Sequence, residues 1–140
     1  MKPLTHDIVL TDFDHHRLQG LLRVFRMRSN VNAWNLTALE LELRRARTVR
    51  PDAIPSDVIT MNSTVALRDL ETGEGFSRTL VFPGAQARDG EHVAVLSPLG
   101  LALLGCRAGD VLEYRNADGT HRLLVDEVEY QPEAKGNFFM

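Results

Sequence analysis

Cysteine and long hydrophobic runs are almost missing from this chain. Cys106 is the only cysteine among 140 residues, so no disulfide can form within the chain. A domain of this size can bury a sufficient core without one, and a single cysteine favours a reducing, cytoplasmic setting. No apolar stretch approaches the roughly 20 residues of a transmembrane helix. Charged residues interrupt the N-terminal apolar runs, unlike a secretory signal peptide. We therefore expect a cytoplasmic protein without a membrane partner.

An excess of charge of one sign is also missing. The chain has 16 Lys and Arg against 19 Asp and Glu, a net charge of −3. Such a surface has no general affinity for nucleic acid, so direct nucleic-acid binding is expected to be weak or absent. The adjacent His15 and His16 would point about 100° apart on a helix and are poorly placed to share a metal ion. We expect neither a metal nor another cofactor.

The first part of the chain, residues 1–49, has helical periodicity. Leu18, Leu21, Leu22 and Phe25 recur at i, i+3, i+4 and i+7, which predicts an apolar stripe on one helix. Thr11 or the following aspartate can cap the start of this helix.

A second helical pattern covers residues 35–49. Thr37 and Glu40 have the spacing of a capping box, and an apolar stripe follows at Leu36, Leu39, Leu43 and Ala46. The connection between the two patterns is short, which favours an antiparallel hairpin, that is, a short coiled coil.

The period changes after a proline-containing segment. Pro51 and Pro55 cannot continue a helix, so residues 50–57 are predicted to be a linker. Residues 58–140 are predicted to form a mostly antiparallel sheet of about five strands, because β-branched residues and turn signals recur there. The strand candidates are residues 58–70, 76–83, 92–97, 110–116 and 121–131.

One short helix should interrupt this sheet. Ser97 is a good N-cap, Pro98 suits the first helical position, and Gly105 suits a left-handed C-terminal cap. Glycines here are too sparse, and no lysine follows them, for a phosphate loop. The leucines of this helix, Leu99, Leu103 and Leu104, are expected to pack on the sheet.

The segment SPLGLALLGCRAGD, residues 97–110, resembles the C-terminal domain of the GreA/GreB transcript cleavage factors. With residues 58–74, 79–83 and 128–136 it also resembles the regulators of nucleoside diphosphate kinase, bacterial relatives of those factors. The resemblance implies an α+β fold, in which a short helical hairpin precedes an FKBP-like antiparallel sheet with one short helix.

The resemblance also implies a partner. In this family the C-terminal domain docks on RNA polymerase near the secondary channel, and the hairpin points inward. A protein bound there could compete with the Gre cleavage factors. By resemblance alone, the docking residues are Ser97, Pro98, Leu99, Gly100 and Leu101.

Transcript cleavage is not expected, so the protein is predicted not to be an enzyme. Gre factors carry an acidic pair at the hairpin tip, which helps to hold a catalytic Mg²⁺ in the polymerase. Mg²⁺ requires such oxygen ligands, yet no acidic residue occurs between His15 and Leu39. Each predicted arm, of about 15 residues, would reach on the order of 22 Å, roughly half the reach of a cleavage factor.

The hairpin tip is basic and permits two interpretations. Arg23, Arg26 and Arg28, with Trp34 nearby, could contact an acidic surface or nucleic acid by charge and stacking. Alternatively, the arginines form a solvated helix face and Trp34 closes the end of the hairpin core.

Other functions stay open. The protein could regulate by binding another protein directly, for example nucleoside diphosphate kinase, without polymerase. A peptidyl-prolyl isomerase activity is the weaker alternative, because a shared FKBP-like fold does not by itself carry function. Near the C-terminus, Tyr130 and Gln131 could contact a partner or belong to a surface segment that ends the last strand.

Overall fold

The structure is a computed structural model and describes residues 8–28, 32–85 and 90–140. Within these residues the chain forms three helices, seven strands and two single turns of 3₁₀ helix. The N-terminal part contains β1 (Val9–Thr11), α1 (Asp12–Arg26), α2 (Ala33–Arg45), β2 (Arg47–Val49) and a 3₁₀ turn at Pro51–Ala53. The C-terminal part contains β3 (Thr64–Asp69), β4 (Gly75–Val81), β5 (His92–Ala94), α3 (Pro98–Leu103), β6 (Val111–Asn116), β7 (Gly119–Tyr130) and a 3₁₀ turn at Glu133–Lys135.

The first helix begins where its capping residue predicts. The Thr11 hydroxyl oxygen accepts a hydrogen bond from the Asp14 amide at 3.0 Å, which satisfies one of the unpaired N–H groups of the first turn. Leu18 and Leu22 are buried, as the apolar stripe predicts.

The N-cap of the second helix lies five residues before the predicted one at Thr37, so the prediction of a capping box is wrong. Asn32 is the N-cap, and its side-chain oxygen accepts a hydrogen bond from the Trp34 amide. Because this earlier cap is available, Thr37 lies inside α2 rather than at its start. Leu36, Leu39 and Leu43 are nevertheless buried.

Five strands of the described chain form a sheet in the order β5-β4-β3-β7-β6. The pairing is antiparallel except between β4 and β5, which are parallel. The prediction of a mostly antiparallel five-stranded sheet is confirmed. β3, the first strand of this sheet along the chain, starts at Thr64 rather than at residue 58 as predicted. A buried turn precedes it, in which the Ser63 hydroxyl accepts a hydrogen bond from the Thr60 amide.

A second, two-stranded sheet closes the base of the hairpin, and the sequence analysis missed it. β1 and β2 pair in parallel, with Val9 opposite Arg47 and Thr11 opposite Val49. Since β1 leads into α1 and β2 follows α2, this pairing holds the two ends of the hairpin together. Ile54, from the predicted linker, packs beside this sheet in a small buried cluster.

The hairpin and the five-stranded sheet share a hydrophobic core. Among the described residues, one buried cluster joins Leu18 and Leu39 of the hairpin to Leu67 of the sheet and Leu103 of α3. The basal part of the hairpin is therefore packed on the rest of the protein. No helix of the described residues has the length and apolarity needed to cross a membrane.

Candidate functional site

The short helix α3 has the caps that the sequence predicts. The Ser97 hydroxyl accepts a hydrogen bond from the Gly100 amide at 3.1 Å and donates one to the Ala94 carbonyl oxygen at 2.7 Å. Pro98 occupies the first turn. Gly105, just beyond the helix, has φ of +76°, the left-handed conformation that glycine adopts without steric cost.

The five predicted docking residues on this segment do not all reach the surface. Pro98 is exposed, and Ser97 and Leu99 are half-buried. Gly100 and Leu101 are buried and belong to the inner side of the segment. The surface available to a partner is therefore formed by the first three residues, which also line an adjacent open cleft of about 340 Å³.

Gly100 has a packing role. A Cβ atom at this position would lie 2.0 Å from the Ala94 carbonyl oxygen, far inside van der Waals contact. The absence of a side chain lets α3 approach β5 closely, and this close approach presents Ser97 and Pro98 at the surface.

The basic side chains at the distal end of the hairpin have different partners. Arg26 forms an ion pair with Glu40 at 2.9 Å, and the Arg28 guanidinium lies 4.7 Å from the centre of the Phe25 ring. Arg23 is exposed and forms no ion pair with the residues that the structure describes. The arginines thus remain on the hairpin surface, as both interpretations of the tip require.

The exposure of Trp34 tests whether this side chain belongs to the hairpin core. Its side chain is 84% exposed, so the expectation that it closes the hairpin core is wrong. The core of α2 is formed by the leucine stripe, which begins at Leu36, and Trp34 lies before that stripe in the first turn. Residues 29–31, which join the two helices, lie outside the described residues.

The carboxylates of the hairpin lie toward its base and middle, and two of them, Asp14 and Glu40, form ion pairs with Arg17 and Arg26. Asp14 is buried, and the next acidic residue along the chain is Glu40. A hydrogen bond from Arg26 lowers the pKa of Glu40, and Arg44 lies 3.7 Å away on the same carboxylate oxygen. The described residues contain no group of three or more His, Cys, Asp or Glu that could hold a metal ion.

Asp14 fixes the base of the hairpin to the sheet domain. One of its carboxylate oxygens accepts a hydrogen bond from the Met61 amide at 3.0 Å, and the other accepts one from Arg17. Burial raises the pKa of Asp14, although these two hydrogen bonds favour the charged form and oppose the rise. The sequence shows only an acidic residue in a first helical turn and gives no sign of the contact with Met61.

Arg17 extends this contact to the C-terminal residues. Its guanidinium donates a hydrogen bond to the Met140 carbonyl oxygen at 2.8 Å and lies 4.2 Å from the centre of the Phe13 ring and 4.7 Å from that of Phe82. Phe139 packs edge-on against Phe13, with ring centroids 5.1 Å apart. The last residues of the chain therefore cover the start of α1.

Gln131 and Glu133 are structural. The side-chain amide of Gln131 donates hydrogen bonds of 2.8 Å to the carbonyl oxygens of Pro55 and Val58. Gln131 is only 3% exposed. Contact of the Gln131 side chain with a partner, one of the two alternatives for this residue, is therefore wrong. Glu133 accepts a hydrogen bond of 2.7 Å from the Thr60 hydroxyl, and burial raises its pKa.

Comparison with known protein families shows which family the chain belongs to. Residues 54–130, more than half of the chain, match the family described as "Transcription elongation factor, GreA/GreB, C-term". The chain belongs to the GreA/GreB transcription elongation factor family. Residues 6–49 match a separate family, described as "Rnk N-terminus", so this GreA/GreB family member has the N-terminal part of the Rnk type.

Individual relatives include both a regulator of nucleoside diphosphate kinase and a GreA factor. The Regulator of nucleoside diphosphate kinase of Escherichia coli (strain K12) is 39% identical over 135 residues, covering 95% of this chain and 96% of that protein. Transcription elongation factor GreA of Alkaliphilus oremlandii is 35% identical over 86 residues, covering 60% of this chain and 53% of that factor.

A solved structure extends the likeness to three dimensions. The prokaryotic transcription elongation factor GreA/GreB from Nitrosomonas europaea has a TM-score of 0.74 and 37% identity, covering 89% of this chain and 99% of that one. The resemblance seen in the sequence is confirmed, and the family identifies the protein as a Gre-like regulator. Its fold is mixed α and β with a curled five-stranded sheet.

Proposed function

We propose that this GreA/GreB family member binds RNA polymerase near the secondary channel and does not stimulate transcript cleavage. One observation carries this proposal: the distal half of the hairpin has no carboxylate. The first acidic residue after Asp14 is Glu40, and its carboxylate is already bound by Arg26 and Arg44. A hairpin of this composition has no carboxylate at its tip to offer to a catalytic Mg²⁺.

The length of the helices supports the same conclusion. α1 has 15 residues and α2 has 13, which correspond to about 22 Å and about 20 Å at 1.5 Å per residue. The family resemblance implies that cleavage factors have hairpins roughly twice as long. We infer that this hairpin occupies the channel entrance and stops short of the polymerase active site.

The geometry of α3 supports docking through the exposed part of the predicted segment. Pro98 is exposed beside the half-buried Ser97 and Leu99. Because α3 and the hairpin share one buried cluster, a protein docked through these residues would hold its hairpin in a fixed direction. Bound in this way, the chain would exclude the Gre cleavage factors from the same site.

The test uses RNA polymerase that is stalled with backtracked RNA. Binding is measured by co-migration, and transcript cleavage is measured in the same samples, with a Gre cleavage factor present or absent. We expect binding, a reduction in factor-stimulated cleavage and no cleavage by this protein alone. Cleavage by this protein alone would show that the acid-free tip has been misinterpreted.

A pair of variants tests the docking surface. Pro98→Glu places a charge at the exposed start of α3, where an acidic residue is compatible with a helix N-terminus. We expect this variant to fold and to lose most of its affinity for polymerase. Leu70→Glu, at another exposed apolar position, introduces the same charge and should bind like the wild type. Equal affinity of both variants would remove α3 from the proposed interface.

A second candidate function rests on the name of the Escherichia coli relative. That name, Regulator of nucleoside diphosphate kinase, leaves open a direct action on the kinase. Purified kinase, added to this protein without polymerase, tests that function by co-migration and by a change in kinase activity. Kinase binding without polymerase binding would favour this second function.

A further inference from the structure

A groove on the hairpin is lined by three arginine side chains. It lies between α1 and α2, extends to the start of β2, and has a volume of about 610 Å³. Leu22 and Leu43, which are 5% and 4% exposed, form its floor. Arg23, Arg26 and Arg44 stand along its sides.

The groove is a basic site on a protein with an acidic net charge. Three guanidinium groups and one carboxylate, that of Glu40, line it, whereas the whole chain has a net charge of −3. At the basal end, the Nε2 of His15 is hydrogen-bonded to the Leu43 carbonyl oxygen at 2.9 Å. The groove therefore attracts anions although the average surface does not.

Glu40 shows where a carboxylate fits in this groove. Its Oε2 atom lies 2.9 Å from Arg26 on one helix and 3.7 Å from Arg44 on its own helix. Both guanidinium groups are thereby held beside the groove, with further N–H donors available to an incoming anion. Arg23 has no ion-pair partner among the described residues and is free to bind one.

We propose that the groove binds an acidic, partly apolar segment of the RNA polymerase protein. The inference rests on the proposed function and names the chemistry of one of its contacts. Carboxylates of the segment would be bound by Arg23 and Arg44, because guanidinium forks match carboxylate oxygens. An apolar side chain of the segment would cover the floor formed by Leu22 and Leu43.

The shape of the groove favours a protein segment over a small anion. The groove is open to solvent between the helices, and His15 and Arg26 at its ends are separated by about 16 Å along α1 at 1.5 Å per residue. A pocket for a small molecule usually encloses most of the surface of its ligand, and an open groove does not. An extended segment of about five residues has the required length, at about 3.3 Å per residue.

The experiment measures affinity for core polymerase that contains no nucleic acid and, in a second arm, for the same enzyme with RNA and DNA bound. The double variant Arg23→Gln and Arg44→Gln removes two groove charges and leaves the pair of Arg26 and Glu40 intact. We expect about tenfold weaker binding and a smaller dependence on salt, since an exposed ion pair contributes up to about fivefold. The matched control, Arg122→Gln with Lys135→Gln, removes the same charge from exposed positions on β7 and in the C-terminal 3₁₀ turn and should bind like the wild type.

A third variant gives an effect of opposite sign. Glu40→Gln removes the carboxylate from the groove, while its side-chain oxygen can still accept the hydrogen bond from Arg26. We expect this variant to bind core polymerase about twofold to fivefold more tightly. Circular dichroism and thermal unfolding of each variant show whether the fold is retained.

The outcomes separate the groove from the proposed function. If the wild type does not bind polymerase, both the proposed function and the groove inference are overturned. If the wild type and the arginine double variant bind equally, the groove inference fails and polymerase binding stands. If the double variant loses affinity only when RNA or DNA is present, the groove contacts nucleic acid, and the inference of a protein segment is overturned.

Discussion

The hairpin and the sheet domain are stabilised in different ways. α1 and α2 each bury three residues, of which Leu22 and Leu36 are the ones nearest the tip. Toward the tip, Met27 and Trp34 are 89% and 84% exposed. In α3, by contrast, four of six residues are buried. The difference suggests that residues at the hairpin tip can change at little cost in stability, whereas α3 and the hairpin base cannot.

The largest expected effect is at Gly100, on the tightly packed side of this comparison. In Gly100→Ala the new Cβ would lie 2.0 Å from the Ala94 carbonyl oxygen. Because the obstructing atoms are backbone, α3 and β5 must separate, and we expect a loss of about 3 kcal/mol in the free energy of unfolding. Urea denaturation measures the loss.

A glycine in the hairpin provides the control. Gly20, inside α1, has open space where a Cβ would lie, with no atom within 4 Å of that position. Gly20→Ala should therefore stabilise the protein by about 0.5–1 kcal/mol. Similar stability of the two variants would contradict the contrast between the hairpin and the sheet domain.

The second-largest loss of stability is expected at Asp14, which connects the hairpin to the sheet domain. Asp14→Ala leaves the buried Met61 amide without its acceptor and Arg17 without its carboxylate. We expect a loss of about 2–3 kcal/mol, because a buried unpaired donor and a broken ion pair both cost free energy. Amide hydrogen exchange should show faster exchange at the base of α1 and in the turn that contains Met61.

Asp12 gives a matched control for the helix terminus. It is exposed in the same first turn of α1, so Asp12→Ala removes a favourable charge at the helix N-terminus but no buried contact. A loss of about 0.5 kcal/mol is expected. If both aspartate variants lost the same stability, the contact with Met61 would have no role in holding the hairpin.

The features that the sequence predicted are local ones. The Thr11 cap, the leucine stripe of α2 and the caps of α3 depend on residues that are a few positions apart, and each is present in the structure. The missed contacts join distant positions. Asp14 and Met61 are 47 residues apart, and Thr60 and Glu133 are 73 apart, so no period or cap could reveal them.

The site was predicted in part for the same reason. Capping rules predicted the helix that begins after Ser97, and the family resemblance alone made it a candidate docking segment, but neither could show which of its residues point inward. Gly100 and Leu101 turn out to be buried because α3 packs tightly against β5. Likewise, β1 has only three residues and merges with the cap of α1, so its pairing with β2 required the folded structure.

A smaller effect depends on pH and concerns Glu133, beneath the hairpin base. Burial raises the pKa of Glu133 above its ordinary value, so the folded state binds this proton more tightly than the unfolded state. The stabilisation by this proton is complete below the unfolded pKa and is lost as the pH rises through the folded pKa. We expect the free energy of unfolding to decrease with rising pH in that window and Glu133→Gln to reduce the decrease.

Urea denaturation at several values between about pH 4 and about pH 7 measures this dependence. Asp14 has a raised pKa of the same sign, so part of the pH dependence should remain in the Glu133→Gln variant. An unchanged pH dependence in that variant would show that Glu133 is not perturbed by its burial.

The smallest effect on stability is expected at Trp34, at the loosely packed end of the comparison. With 84% of its side chain exposed, Trp34→Ala should change the free energy of unfolding by less than about 0.5 kcal/mol. A large exposed aromatic residue at a binding surface can nevertheless contribute strongly to affinity, so we expect about tenfold weaker binding to polymerase. Leu41→Ala, at a half-exposed position on the same helix, should alter neither quantity. Because Trp34 contributes so little to folding, a loss of affinity in its variant would come from the interface itself, whereas unchanged affinity would remove the tip tryptophan from it.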